Sequence, residues 1–506
     1  PPRSTLFPYT TLFRSTVEMN WRFNSIPPKR ETNTRQYGLI NTPLQCSSAA
    51  HQAGKHDVLC EMFGVSTQNL VFRDQKHLFD HFASLGINHK CVHGIFYSLR
   101  GRGKRAYPPH IHYYQPYWPN YGLLNDYMAR ASWFISQGCP VRDVLVLHPI
   151  DSAFCEYHGP SVDQASNNDL VWRDQAFHGL LQNLLACQYD FELGDEETIR
   201  EWGLIDDQGR FQIGQMSYRI LVLPELKTIR SATLLLIEQF ADKGGKVFIL
   251  GQMPHLVDGY SDTRVKERLL SLPGIAVVAD QTGLLACLAA EDKPYQFECF
   301  EDATQIQLNY RRDGDVHYYF LFNRDCKESK SGRLSMTGKL SALVWEGKDG
   351  VRHESPATYD PLTDRTHAAV RIEAGGSLML TLENDETDHR KQQSPNKPAS
   401  CLFVDGPWTV KRKDPNVLLL EFCRYRKNEQ DEWSSLYRIL AVQEKLTDEQ
   451  YIGPVSLAFP FKNEIPLTGL KIAIEEPGAW EIRVDGTLIS NKPDGFYMAK
   501  EFECIR

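Results

Sequence analysis

His56–Gly64 reads HDVLCEMFG, and Val71–Leu85 reads VFRDQKHLFDHFASL. The first is a short apolar run, the length of a buried strand, that ends on Glu61 and a glycine. In the second, Val71, Phe72, Leu78, Phe79, Phe82 and Leu85 fall on one helical face. Gly86 stops that helix. Ile87–Ser98 then reads as a strand and Tyr121–Gly138 as a helix, with Leu124, Met128, Ala131 and Ile135 at helical spacing. Strand alternating with helix is the pattern of a parallel α/β barrel or an open α/β sheet.

Downstream, the alternation resumes. Val144–Leu147, Ile220–Leu223, Val247–Leu250 and Ile275–Val278 are short runs that fit buried parallel strands. Leu170–Cys187 and Ser231–Lys243 read as helices, the latter closed by Gly244-Gly245. A doubly wound, flavodoxin-like domain over 141–292 is expected. It contains no G-x-G-x-x-G, so nothing supports a nucleotide role. From about Gln296 the pattern becomes short strands (Ile306–Tyr310, Val316–Phe322, Ala342–Trp345, Ala368–Ile372, Leu378–Leu382) separated by Gly, Asp and Ser, which predicts a β-sandwich over 293–383. The polar stretch 384–400 reads as a linker, and 401–506 as a second β domain.

The 506 residues are 42% hydrophobic and 24% charged, an ordinary globular balance. A net charge of -8 offers no electrostatic footprint for nucleic acid or an anionic membrane. No apolar run approaches the ~18–20 residues of a membrane span. The twelve cysteines form no C-x-x-C pair and no zinc-ligand spacing, and their scatter favours a reducing, cytoplasmic setting. Pro1–Ser15 (PPRSTLFPYTTLFRS) has neither periodicity nor linker composition. It reads as a non-native, adapter-derived segment and is set aside from fold reasoning.

Barrel enzymes keep their chemistry at the carboxyl ends of strands, which is where Glu61 falls. The next strand carries His93 and Tyr97, and the loop beyond it is dense in Arg105, Tyr107, Tyr117 and Trp118. Aromatic faces stack on the CH faces of a pyranose, while Arg and His bond its hydroxyls. The same loop could equally be an apolar plug over the barrel end, and a strand-end Glu is often a solvated or structural carboxylate. His77 and His81 lie four apart on a helix, but no third metal ligand accompanies them.

Ser47–Lys55, Leu59–Gly64, Gly86–Asn88, His93, Tyr97–Gly101 and Lys104–Pro109 together resemble the late-barrel segment of large glycoside hydrolases related to the family 106 α-L-rhamnosidases. Asp126–Arg130 to Gln137-Gly138, then Asp143–Pro149, resemble the family's last barrel helix and its entry into the Rossmann-like accessory domain, and, more diffusely, Gly406–Trp408, Leu418–Cys423 and Ile472–Val484 resemble its galactose-binding-type sandwich. The resemblance implies a clan-A-like barrel with Rossmann-like and β-sandwich accessory domains, the last of galactose-binding type. It implies that Glu61 is a catalytic carboxylate, with His93, Tyr97, Arg105, Tyr107, Tyr117 and Trp118 binding the sugar. It departs from the family at Ala106, where an Asp usually precedes Tyr-Pro-Pro. Relatives can use calcium near the sugar, but no D-x-D-x-D-G loop is present, and no cofactor or metal is assigned.

Residues 16–140 are too few for a (β/α)8 barrel, so they are expected to be its C-terminal part, in a chain truncated at its N-terminus, with the 401–506 domain also cut short. The expected class is therefore α/β plus β: the C-terminal part of a (β/α)8 barrel, a flavodoxin-like domain, then two β-sandwiches. The expected function is hydrolysis of an oligosaccharide or glycoside, with this chain inactive alone because the second carboxyl group lies elsewhere. Two alternatives stay open: a non-catalytic carbohydrate-binding protein, and a hydrolase of β-galactosidase type. Neither nucleic acid nor membrane is an expected partner, and self-association into a homo-oligomer is compatible with the accessory domains.

Overall fold

The computed structural model describes residues 13–16, 40–64, 70–104, 111–157, 168–384, 405–411, 413, 415–464 and 468–506. The chain divides into two compact units, Pro1–Asn396 and Lys397–Arg506.

The first unit opens with a parallel sheet of three strands, β1 (Phe13–Thr16), β2 (Leu59–Gly64) and β3 (His89–Val92), in sequence order. Two points differ from the sequence reading. Phe13–Thr16, which straddles the end of the segment set aside, pairs with β2. The strand read over Ile87–Ser98 keeps only His89–Val92, because Gly94 adopts φ +67° and its N–H turns back to the Val92 carbonyl. Helices α1 (Asn41–Gln52), α2 (Phe72–Ser84) and α3 (Tyr121–Ile135) accompany this sheet. The α2 C-terminus closes as a Schellman turn: Ile87 N–H bonds the Phe82 carbonyl, and Gly86 N–H the Ala83 carbonyl. Gly86 sits at φ +96°, and a Cβ there would lie 2.8 Å from Ser47 Cβ on α1. Glycine is therefore required both for the turn and for the helix contact.

Next comes a parallel sheet in the order β8-β7-β6-β4-β5: β4 (Val144–Leu147), β5 (Phe191–Gly194), β6 (Ile220–Leu223), β7 (Lys246–Leu250) and β8 (Ile275–Val278). Relabelled by first appearance this is 2-1-3-4-5, with the reversal between β4 and β6. Alternation divides each central strand between two cores. Val144, Val146, Ile220, Val222, Phe248 and Leu250 pack under α4 (Asn168–Ala186) and α6 (Gln281–Ala289). Leu145, Leu147, Leu221, Leu223, Val247 and Ile249 pack under α5 (Ser231–Asp242).

Then follows a sandwich. Strands β9 (Tyr295–Cys299), β12 (Lys330–Thr337), β16 (Arg365–Ile372) and β15 (Ala357–Asp360) form one sheet, in that order. The other sheet runs β14 (Arg352–Glu354), β13 (Leu340–Trp345), β17 (Ser377–Asn384), β11 (Val316–Asn323), β10 (Ile306–Asp313) and ends on Cys139–Pro140. Tyr319 and Leu321 of β11 face the other sheet, whereas Phe320 and Phe322 join the core of α2, α3 and β2. Polar bonds reinforce that second contact. Tyr127 on α3 bonds both Asp80 of α2 and Ser377 of β17 at 2.6 Å, and His81 bonds Gln307 at 2.9 Å.

In the second unit the described strands are short. Phe422–Arg426, Tyr437–Arg438 and Ser456–Ala458 make one small sheet, and two further pairs join Ile472–Ile474 to Glu503–Ile505 and Arg483–Val484 to Thr487–Leu488. A helix, Ile439–Asp448, packs beside them. Instead of the two broad stacked sheets read from the sequence, the described residues show these small sheets. Their strands of two to five residues offer little alternating apolar surface to stack. The stretch read as the linker lies almost entirely outside the described residues.

Candidate functional site

In β2, Cys60 and Met62 point into the core shared with α2 and α3, so Glu61 between them points to the opposite face. Its side chain retains 14% exposure. The β2–β3 register sets Met62 opposite Val92, and the His93 N–H bonds the Met62 carbonyl at 2.9 Å. That places the His93 ring beside the carboxylate, with Nδ1 2.7 Å from Glu61 Oε1. At this length the contact is a charge-assisted hydrogen bond, which fixes the carboxylate's rotamer.

Phe63, the last residue but one of β2, is in a left-handed conformation, φ +70°. Left-handed backbone costs a non-glycine residue roughly 1–2 kcal/mol. It also breaks the strand's alternation, so that consecutive Met62 and Phe63 both enter the same core, each fully buried. The apolar anchor thus sits immediately after Glu61.

Of the other residues expected at the sugar, Tyr97 is 96% exposed. Tyr117 and Trp118 belong to an aromatic group at the start of α3. Trp118 stacks on Tyr121 at 5.9 Å and 11°, and Tyr117 packs on Phe72 at 5.0 Å. Burial pushes the Tyr117 phenol up to about 12. Arg105 and Tyr107 lie outside the described residues. The structure therefore brings Glu61 and His93 together and packs Tyr117 and Trp118 with Phe72 and Tyr121 at the start of α3. His77 and His81 are committed to packing α2 against the sandwich, His77 edge-on to Phe322 and His81 on Gln307. Among the described residues, no group of three or more His, Cys, Asp or Glu is arranged to hold a metal, and no helix is long and apolar enough to cross a membrane.

One polar group had no counterpart in the sequence reading. His51 of α1 bonds Glu192 of β5 at 2.6 Å, and Tyr218 bonds the other Glu192 oxygen at 2.6 Å. Gln52 donates to Tyr218 and to the Leu193 carbonyl. All four side chains are buried. Burial holds His51 below its usual range against the opposing pull of Glu192. This network ties α1, beside the Glu61 sheet, to the doubly wound sheet. A buried polar cluster of this kind costs stability if any member is removed. Its only sequence signal was polar residues on a helix whose partners lie some 140 positions away.

Comparison with known proteins places the chain among the glycoside hydrolases. The model of the family 106 glycoside hydrolases, described as α-L-rhamnosidase, matches residues 27–359, and the chain belongs to that family. A protein named "Putative beta-glucuronidase" from Formosa agariphila is 24% identical over 342 residues, 65% of this chain and 27% of its own length. The solved rhamnosidase from Novosphingobium sp. PP1Y superposes with a TM-score of 0.53 at 14% identity, covering 80% of this chain and 37% of that one. A GH42 β-galactosidase from G. stearothermophilus superposes with a TM-score of 0.46 at 8% identity, covering 69% and 57%. The chain thus spans about a quarter of the curated relative and little more than a third of the solved rhamnosidase.

Proposed function

We propose that Glu61 is one of the two carboxyl groups of an α-L-rhamnosidase-type glycoside hydrolase, acting as nucleophile or as the base that activates water. The observation that carries this reading is the 2.7 Å bond from His93, just past the carboxyl end of β3, to the carboxylate of Glu61, third of the six residues of the parallel strand β2. A carboxylate held in one rotamer, with 14% of its side chain still open to solvent, can approach an anomeric carbon without reorganising. His93 is a positioning residue for it, and Tyr97, Arg105, Tyr107, Tyr117 and Trp118 are proposed sugar contacts. Cleavage needs a second carboxyl group, ~5–5.5 Å away for retention or ~6.5–9.5 Å for inversion. The proposal places that group on barrel strands beyond the three described here, so the 506-residue chain by itself binds sugar without turning it over.

A panel of 4-nitrophenyl glycosides, with the α-L-rhamnoside first, tests this against the purified chain and Glu61→Gln. No nitrophenol release from either is expected. Release that Glu61→Gln abolishes would overturn the inactivity and uphold the role of Glu61. Release that survives Glu61→Gln would overturn that role.

A further inference from the structure

The doubly wound sheet reverses its strand order between β4 and β6, and at that reversal the structure holds a crevice of about 230 Å3. Its floor is the carboxyl ends of the strands, from Pro149 after β4, Glu225 after β6 and Leu250 of β7 to Asp280 after β8. Its wall is α4, which presents Trp172 and Phe177. In open α/β sheets this is where ligands bind, because the loops splay apart there.

The chemistry of the lining narrows the ligand. Arg173 borders the crevice but is spent: Nε and Nη2 clasp Glu156 at 2.7 and 2.5 Å, and Nη1 donates to the Glu225 carbonyl. Both Arg173 and Glu156 are buried. Among the described lining residues no other cation is present to neutralise a phosphate, and two carboxylates, Glu225 and Asp280, would repel one. Asp280 is partly used, since its Oδ1 caps α6 by accepting from Gly283 N–H at 2.8 Å. The Glu225 carboxylate accepts no hydrogen bond among the described residues. It lies across bare backbone at Gly251 (φ +66°), where a Cβ would come within 2.2 Å of Oε1. Burial raises the pKa of this carboxyl, against the pull of Arg173. Trp172 also lines the crevice and is 48% exposed, so it has indole surface open to a ligand. Drug-sized ligands occupy roughly 300–1,000 Å3, so the crevice takes a single ring and not a nucleotide.

We infer that this crevice is a second, non-catalytic sugar site that seats one neutral pyranose, stacked on Trp172 and hydrogen-bonded through its hydroxyls to Glu225. It does not depend on the proposed role of Glu61, and the two fail separately. The test is saturation-transfer NMR and calorimetry on the full chain with methyl α-L-rhamnoside and methyl β-D-galactoside. AMP and tetramethylammonium serve as anionic and cationic controls. Saturable binding of a glycoside is expected, weakened about tenfold by Trp172→Ala and weakened by Glu225→Gln. Trp172 is half exposed, so its removal leaves the fold intact, and an unchanged thermal melt checks this. The inference is overturned if neither glycoside binds, if Trp172→Ala leaves the binding as strong as before, or if AMP or tetramethylammonium displaces the sugar.

Discussion

Replacing His93 by Ala removes a hydrogen bond that orients Glu61, and a double-mutant cycle isolates its value. Hydrogen bonds to a charged group are worth about 1.5–3 kcal/mol. Here the side chains are 26% and 14% exposed, so water competes in part and the lower end applies. The coupling between Glu61→Gln and His93→Ala is therefore expected at about 1–2 kcal/mol. Urea unfolding of the wild type, both single variants and the double variant, followed by circular dichroism, measures it. The partial burial makes a second, sharper demand: raising the salt should change the coupling little, whereas a surface ion pair would be screened away. A coupling below about 0.5 kcal/mol, the range within which independent sites add, would refute the geometry on which the catalytic reading rests.

Two further outcomes follow from the buried groups. His77, His178 and His317 are each lowered to about 4, chiefly by burial. Between pH 6.5 and 4 the unfolded chain therefore binds protons that the folded chain refuses, and stability falls as pH falls through that window, by at most about 3 kcal/mol per histidine. Burial raises Glu196 to about 7. The folded carboxyl keeps a proton that the unfolded one has lost, so its contribution is full below about pH 4.5 and disappears as pH rises through 7. Thermal melts across pH should thus peak near neutrality, and Glu196→Gln should raise the melting temperature at pH 8 but not at pH 4. At the end of β2, Phe63→Ala should cost about 3–5 kcal/mol in lost packing. Phe63→Gly should be the more stable of the two by about 1 kcal/mol, because glycine accepts φ +70° freely. An alanine variant more stable than the glycine one would contradict the backbone assignment.

The parts of the fold legible in the sequence were those where burial on both faces makes a continuous apolar run. Val144–Leu147, Ile220–Leu223 and Ile275–Val278 appear as strands with those same bounds. Helices α2, α4 and α5 appear within two residues of their apolar periodicity. Helix α1 escaped because its buried face is largely polar, Ser47, Ser48, His51 and Gln52, and is satisfied by distant partners instead of apolar spacing. Glu61 and His93 were singled out because each follows a short apolar run in the sequence, although the structure sets Glu61 third in β2 and not at its end. Their bond was not readable, because it depends on a register that no local pattern states. Tyr117 and Trp118 carry the composition of a sugar wall whether they stack on a ligand or on Tyr121, and composition does not distinguish the two.

The two-sided strand β11 has a consequence for anyone who cuts this protein into pieces. Tyr319 and Leu321 serve one core and Phe320 and Phe322 another, so the strand is a party wall owned by two neighbours that are some 200 positions apart in the chain. Excising 16–140 as a module would strip Phe320 and Phe322 of their cover, and the isolated sandwich would carry an adhesive apolar flank. A border drawn along the polypeptide at 140 or 292 is therefore no border in the solid, and the shortest piece expected to remain monodisperse keeps both sides of that wall.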